Sequence, residues 1–208
     1  MTAGARVGVL LSGRGSNFVA LQAAIARGEV PAHVALVVSN VAEAPGLARA
    51  RELGLTTACF PAAAFADRAA QEGAIVAALG DHRVEWICLA GFMRLLSPGF
   101  IRAYRERILN IHPSLLPAFP GLHAQRQALA HGVKISGCTV HFVDEGLDSG
   151  PIVVQRTVPV HDDDDEAALS ARILEQEHQA YPEALRRLLT EPWQVVGRRA
   201  CFGPPPPP

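Results

Sequence analysis

The 208-residue chain has no CxxC pair and no His–Cys cluster at metal-ligand spacing; its four cysteines, Cys59, Cys88, Cys138 and Cys201, are scattered. That pattern argues against a disulfide framework and against a zinc site, and it fits a cytoplasmic protein. No 18-residue apolar run occurs and no basic-then-apolar leader precedes Val7, so neither a membrane span nor a secretory signal is expected. No basic block stands out and the net charge is −1, which makes nucleic acid a poor partner. Internal repeats are also missing. What remains is a chain long enough to bury a sizeable core as one domain, expected over residues 1–202. Residues 1–5 read as a loose leader, and residues 203–208 (GPPPPP) as a disordered proline tail.

Apolar runs and helical stretches alternate through the first half. VGVLL (residues 7–11) has the continuous apolar character of a strand covered on both faces. The glycine loop SGRGSN (12–17) follows, then helical spacing over 18–27. Strands are expected at 34–39, 56–60 and 86–90, with helices at 45–53, 64–79 and 98–104. This order predicts an α/β fold with a doubly wound, mostly parallel sheet. From Lys134 onward the style changes: CTVHFV (138–143) and IVVQRTVPV (152–160) read as an antiparallel pair around the turn DEGLDSGP (144–151). A long C-terminal helix follows the acidic run 162–166, which reads as a solvated helix start. Pro182 is expected to kink or end that helix, and residues 193–196 fit an edge strand.

Three places carry chemical character. The loop 12–17 opens a helix, so its backbone N–H groups and the helix dipole suit an anion, with Ser16 or Asn17 capping or donating. It lacks GK[ST], Phe18 stands where a dinucleotide loop needs its third glycine, and the next strand ends in Ser39-Asn40 without a ribose-binding acid. A phosphate site fits and a dinucleotide site does not; a plain tight turn also fits. Arg14 adds charge nearby or is simply exposed. The second place is ILNIH (108–112), a short strand stopped by Pro113. Alternation projects Asn110 and His112 the same way. An amide donor and an imidazole acid or base thus stand together at the C-terminal end of a strand, where open α/β sheets bind ligands. Two polar residues meeting water at a strand end fit the same pattern. The third is the long helix, where Glu177 falls in the apolar stripe of Leu169, Ile173, Tyr181 and Leu185; a carboxylate there needs a cationic partner or a ligand amine. After the strand at 86–90, GFMRLL suits either a slot for a flat aromatic ligand or plain core. Asp148 lies in the turn, where the chain reversal can return it toward the Asn–His strand, although Asp in Asp-Ser-Gly is commonly just a turn former.

Taken together, LLSGRGSNF, LAGFMRLLS, ILNIHPSLLPAFPGLHAQRQAL, GCTVHFVDEGLDSGPIV and EQEHQAYP resemble the folate-dependent formyltransferases, and among these the glycinamide ribonucleotide transformylases of purine synthesis. The runs keep the family's order over nearly the whole chain. The resemblance implies a formyltransferase fold and transfer of the formyl group of 10-formyltetrahydrofolate to the amine of glycinamide ribonucleotide. It casts Asn110, His112 and Asp148 as the catalytic trio, and Gly15, Ser16 and Asn17 as the loop holding the substrate's ribose phosphate. Glu177 matches the carboxylate that positions the glycinamide end. Met93, Arg94, Leu95 and Leu96, with Asp144, Glu145, Gly146 and Leu147, match the folate pocket, and Arg68 a further folate contact. Leu174 departs from relatives that carry a polar substrate contact there. The implied partners are small molecules only, with no metal, no nucleic acid and no membrane, in a monomer or a homodimer.

The implied chemistry is direct attack of the amine on the formyl carbon. Asn110 and a protonated His112 would donate to the developing oxyanion, with Asp148 paired to His112 and favouring its cationic form. Two enzyme rivals share parts of the pattern. 10-Formyltetrahydrofolate deformylase normally adds an N-terminal regulatory domain, whereas the first strand here begins at Val7. Methionyl-tRNA formyltransferase carries a C-terminal basic domain, of which there is no sign. A non-catalytic binding module would have no need for the trio.

Overall fold

The computed structural model describes residues 4–203. Residues 204–208 of the proline tail, and residues 1–3 of the expected leader, lie outside the described residues. Ala5 is not leader: it opens the first strand, β1 (Ala5–Leu11), because its N–H already donates to Pro31 O at 3.0 Å.

The chain forms two compact units, one ending at Asn110 and the other starting at Ile111. The first holds β1, α1 (Ser16–Ala26), β2 (Ala32–Ser39), α2 (Pro45–Glu52), β3 (Thr57–Cys59), α3 (Arg68–Asp81), β4 (Trp86–Leu89) and α4 (Pro98–Ala103). It closes with the start of β5 (Ile108–His112). The strands lie in the order β3-β2-β1-β4-β5, all parallel. Continuous apolar runs are what such a sheet requires, since helices cover both faces. Val7, Val9, Leu10 and Leu11 accordingly have no exposed surface, and neither have Val37, Val38, Ile87 and Leu109.

One helix expected in this unit is shorter than its spacing suggests. Residues 64–79 do not form a single helix; Ala62–Ala64 is a 3₁₀ turn, and α3 starts only at Arg68. The side chain of Asp67 accepts the Ala70 N–H at 2.8 Å and so sets the N-terminus.

The second unit holds the end of β5, α5 (Ala124–Ala130), β6 (Ile135–Phe142), β7 (Ile152–Pro159), α6 (Glu166–Thr190), β8 (Trp193–Val196) and β9 (Arg199–Phe202). β6 and β7 are antiparallel, β7 pairs with β9 in parallel, and β9 pairs antiparallel with β8 at the edge. α6 packs on β6 and β7 through Leu169, Ile173, Tyr181 and Leu185, all fully buried. Neither α5 nor β9 was expected from the sequence pattern, each being short and flanked by glycine.

Pro182 does not end α6, which continues eight residues beyond it. An interior proline costs a helix about 3 kcal/mol through the lost N–H and the ring clash. Here Pro182 is itself buried, and Ala184, Leu185 and Leu188 beyond it stay on the buried stripe, so packing carries the helix past the lost bond. The acidic run before α6 also does more than sit in water. Asp165 caps the helix by accepting from Ala168 N at 2.7 Å, and Asp162 pairs with Lys134. Arg172 grips both oxygens of Asp164, at 2.6 and 2.8 Å, and holds that carboxyl well below the usual carboxylate range.

Candidate active site

β5 delivers two of the candidate residues by geometry alone. Asn110 and His112 are two residues apart in an extended strand, which puts them on one face. His112 is 5% exposed, and both of its ring nitrogens face oxygen. Nδ1 lies 3.4 Å from Asp148 Oδ2, and Nε2 donates to Phe119 O at 2.8 Å. The reversal between β6 and β7 therefore does return Asp148 to the end of β5. Asp148 adopts φ 48°, a left-handed conformation that few residues other than glycine and Asn or Asp accept. Two residues on, a Cβ at Gly150 would stand 1.9 Å from Phe142 O, so only glycine lets the turn fold back this closely.

The segment after β5 is built by hydrogen bonds rather than by secondary structure. Thr139 Oγ1 on β6 donates to Ser114 O at 2.7 Å and accepts Leu116 N–H at 3.0 Å. Gln155 on β7 donates to Leu116 O at 2.9 Å, and Ser114 Oγ donates to Ala118 O at 2.5 Å. This frame puts Phe119 O against His112 and the Gly121 N–H against Asp148 Oδ2, at 2.8 Å. Phe119 and His123 take left-handed φ values of 53° and 60° to make the bend.

His141, inside β6, is a second imidazole beside Asp148. Its Nε2 is 3.7 Å from Asp148 Oδ1, too long for a hydrogen bond, and its Nδ1 donates to Phe142 O at 2.8 Å. It is 2% exposed, and burial pushes it below the ordinary histidine value, outweighing the pull of the Phe142 carbonyl and of Asp148. His141 is therefore neutral at pH 7. Asp144, in the turn, accepts from Gly146 N at 3.1 Å and from Ser149 Oγ at 2.6 Å, which closes the turn around exposed Glu145 and Leu147.

In the first unit the glycine loop meets α1 as an anion site requires. Gly15 is the N-cap, with φ 70°, and a Cβ there would stand 3.0 Å from Gly46 Cα. The helix begins at Ser16 rather than at 18, so Ser16 and Asn17 lie in its first turn. The N-cap residue Gly15 has no side chain to cap α1, and the first turn carries no acidic residue. A helix N-terminus carries the positive end of the dipole and N–H groups that have no partner within the helix itself. Arg14 is exposed.

The same loop supports a second candidate segment. Ser12 Oγ donates to Asn40 Oδ1 at 2.6 Å and accepts Met93 N–H at 2.9 Å, while Ser12 N donates to Gly91 O at 3.0 Å. Met93, Arg94 and Leu95 are exposed and Leu96 half-buried, so these residues are not core. Arg68 reaches the segment by donating from Nη2 to Leu95 O at 2.6 Å.

Glu177, in the second unit, is 7% exposed on the buried stripe of α6. Its carboxylate and burial together push the neighbouring Cys138 thiol up to about 12, burial being the larger cause. Among the described residues no group of three or more His, Cys, Asp or Glu side chains is placed to hold a metal ion. No helix among them is long and apolar enough to cross a membrane. Sequence reasoning missed Ser12, Glu72, His141 and the Phe119 carbonyl. Only His141 carried a signal, as a polar residue inside the apolar run CTVHFV.

The profile of the family described as formyl transferase matches residues 5–185. The trifunctional purine biosynthetic protein adenosine-3 of Drosophila melanogaster is 51% identical over 187 residues, 88% of this chain but 14% of that protein. The chain thus spans about one seventh of the length of that relative. The phosphoribosylglycinamide formyltransferase of Escherichia coli K12 is 45% identical over 174 residues, which is 84% of this chain and 82% of the relative. Among solved structures, glycinamide ribonucleotide transformylase 1 of Symbiobacterium toebii superposes with a TM-score of 0.94 at 47% identity, covering 97% of this chain and 95% of that one. With the α/β sheet, the antiparallel β6–β7 pair and the long α6 all in place, this chain belongs to the formyl transferase family.

Proposed function

We propose that the chain transfers the formyl group of 10-formyltetrahydrofolate to the amine of glycinamide ribonucleotide, a step of purine synthesis. The observation that carries this reading is the His112–Asp148 pair at the end of β5, two residues beyond Asn110 on the same strand. A phosphate-holding module would not need it. The likeness to full-length phosphoribosylglycinamide formyltransferases supports the choice of substrates.

In this reading the amine nitrogen attacks the formyl carbon and the carbonyl oxygen takes the negative charge. Asn110 and imidazolium His112 donate to that oxygen, while Asp148 stabilises the cation through Nδ1. A donor aimed at charge as it develops is worth on the order of 10²–10³ in rate. The C–N bond to the folate then breaks as the proton of the attacking amine moves to the leaving nitrogen, directly or through water. Ser16, Asn17 and the N–H groups after Gly15 hold the ribose phosphate, and Glu177 orients the glycinamide amine. Met93, Arg94, Leu95 and Leu96, with the turn Asp144, Glu145, Gly146 and Leu147, receive the folate, and Arg68 meets it as well. Neither a metal nor a covalent nucleophile takes part, and 10-formyltetrahydrofolate is a co-substrate.

The test is folate absorbance on mixing the protein with 10-formyltetrahydrofolate, with and without glycinamide ribonucleotide. Tetrahydrofolate should appear only when the amine is present. Equal release without it would replace this reading with hydrolysis of the formyl donor.

A further inference from the structure

We infer that Glu72 is a positioning residue for the formyl donor, its buried carboxylate locking the loop Phe92 to Ser97 and the Arg68 guanidinium into the arrangement that receives the folate. The inference rests on the folate reading of that loop. It starts from a carboxylate in an unusual place. An Arg–Glu pair at i, i+4 ordinarily decorates the wet face of a helix. Arg68 and Glu72 have that spacing on α3, with Arg68 Nε donating to Glu72 Oε1 at 2.8 Å, yet Glu72 is only 8% exposed.

The burial follows from what else the carboxylate holds. Both of its oxygens accept the Ser97 N–H, at 3.1 and 3.2 Å, and Arg68 passes the connection on through Nη2 to Leu95 O at 2.6 Å. One carboxylate and one guanidinium therefore grip the loop backbone at two points near its C-terminal end. Ser12 grips the other end at Gly91 and Met93. At these anchored backbone positions the side chains of Met93 and Leu95 stay out, the residues being 71% and 65% exposed. Large apolar side chains held out by a polar frame present a surface for a flat, partly apolar ligand. Helix stability alone asks for none of this, since Asp67 already caps α3. A charge buried at this depth is stable only when fully bonded, and here its bonds end on the loop and on the cation beside it.

The experiment compares wild type with Glu72→Gln, which keeps an oxygen for Ser97 N–H but removes the charge holding Arg68, and with Glu72→Asp, which keeps the charge on a shorter stem. Tetrahydrofolate affinity is measured by calorimetry, hydrogen exchange is followed over residues 92–97, and KM for each substrate and kcat are determined. Glu72→Gln should weaken tetrahydrofolate binding and raise the donor KM by roughly tenfold to a hundredfold, the scale of a lost charge-assisted hydrogen bond. KM for glycinamide ribonucleotide and kcat should stay within about twofold, because the loss is confined to donor binding. Exchange over 92–97 should quicken, and Glu72→Asp should recover part of the donor affinity. Should Glu72→Gln fail to fold, Glu72→Asp reads the same donor-only rise at smaller size. Equal loss in kcat and both KM values, or donor affinity unchanged in a wild type that binds tetrahydrofolate, overturns the inference alone. A wild type that does not bind tetrahydrofolate removes the folate reading and the inference with it.

Discussion

One oxygen of Asp148, Oδ2, lies 3.4 Å from His112 Nδ1 and accepts the Gly121 N–H at 2.8 Å. The carboxylate thus has two duties, one toward the imidazole and one toward the backbone of the bend after β5. Substitution at this position separates them.

Asp148→Asn keeps an oxygen for the Gly121 N–H and removes the negative charge opposite Nδ1. The fold and its circular dichroism should be unchanged, while kcat drops on the order of 10²–10³, the scale of a mis-set electrostatic group in a site of this kind. A variant that turns over near the wild-type rate would mean that His112 does not work as a cation.

Asn110→Ala removes the amide from the face it shares with His112. If Asn110 meets only the developing oxyanion, kcat falls on the order of 10²–10³ while the donor KM stays within about twofold. Steady-state kinetics with both substrates decides this. Retention of most of kcat would take Asn110 out of the reaction.

Stability should decline on mild acidification. His141 is held below its ordinary value of 6.5 by burial, against the pull of Asp148 and Asp144 and with the push of His112; His178 is lowered by burial too. The unfolded imidazoles therefore take up protons at a pH where the folded ones do not. Their contribution is full above the unfolded value and is lost as pH falls toward the folded one. Urea midpoints should fall between about pH 7.5 and pH 5.5, less steeply in His141→Asn. A flat profile would show that His141 protonates without cost.

Thiol labelling of the native protein should separate the cysteines. Cys88 and Cys138 are buried, and Cys138 is pushed up to about 12, so neither offers thiolate. Cys201 and Cys59 are half-buried, and burial raises Cys59 as well. Cys201 should react first, Cys59 more slowly, and the other two only after denaturation. Early modification of Cys138 would show that β6 opens readily.

Much of the fold was legible because its signals are local. VGVLL and ILNIH read as buried strands since a parallel sheet needs apolar residues on both faces, and Pro113 marks the end of β5. The length of α3 misread because the Asp67 cap outweighs the helical propensity of the alanines before it. The course of α6 past Pro182 misread because packing on β6 and β7 acts at a distance in sequence.

The sequence by itself determined the strands of the parallel sheet and the β6–β7 pair, and that Asn110 and His112 share a face, because these follow from apolar runs and the side-chain period of two. Only the tertiary structure decided that Asp148, thirty-six residues beyond His112, comes to rest against it. Only there, too, do the Phe119 carbonyl and the Glu72 carboxylate find their partners. Those contacts involve backbone atoms and distant segments, and neither leaves a mark in residue type or spacing.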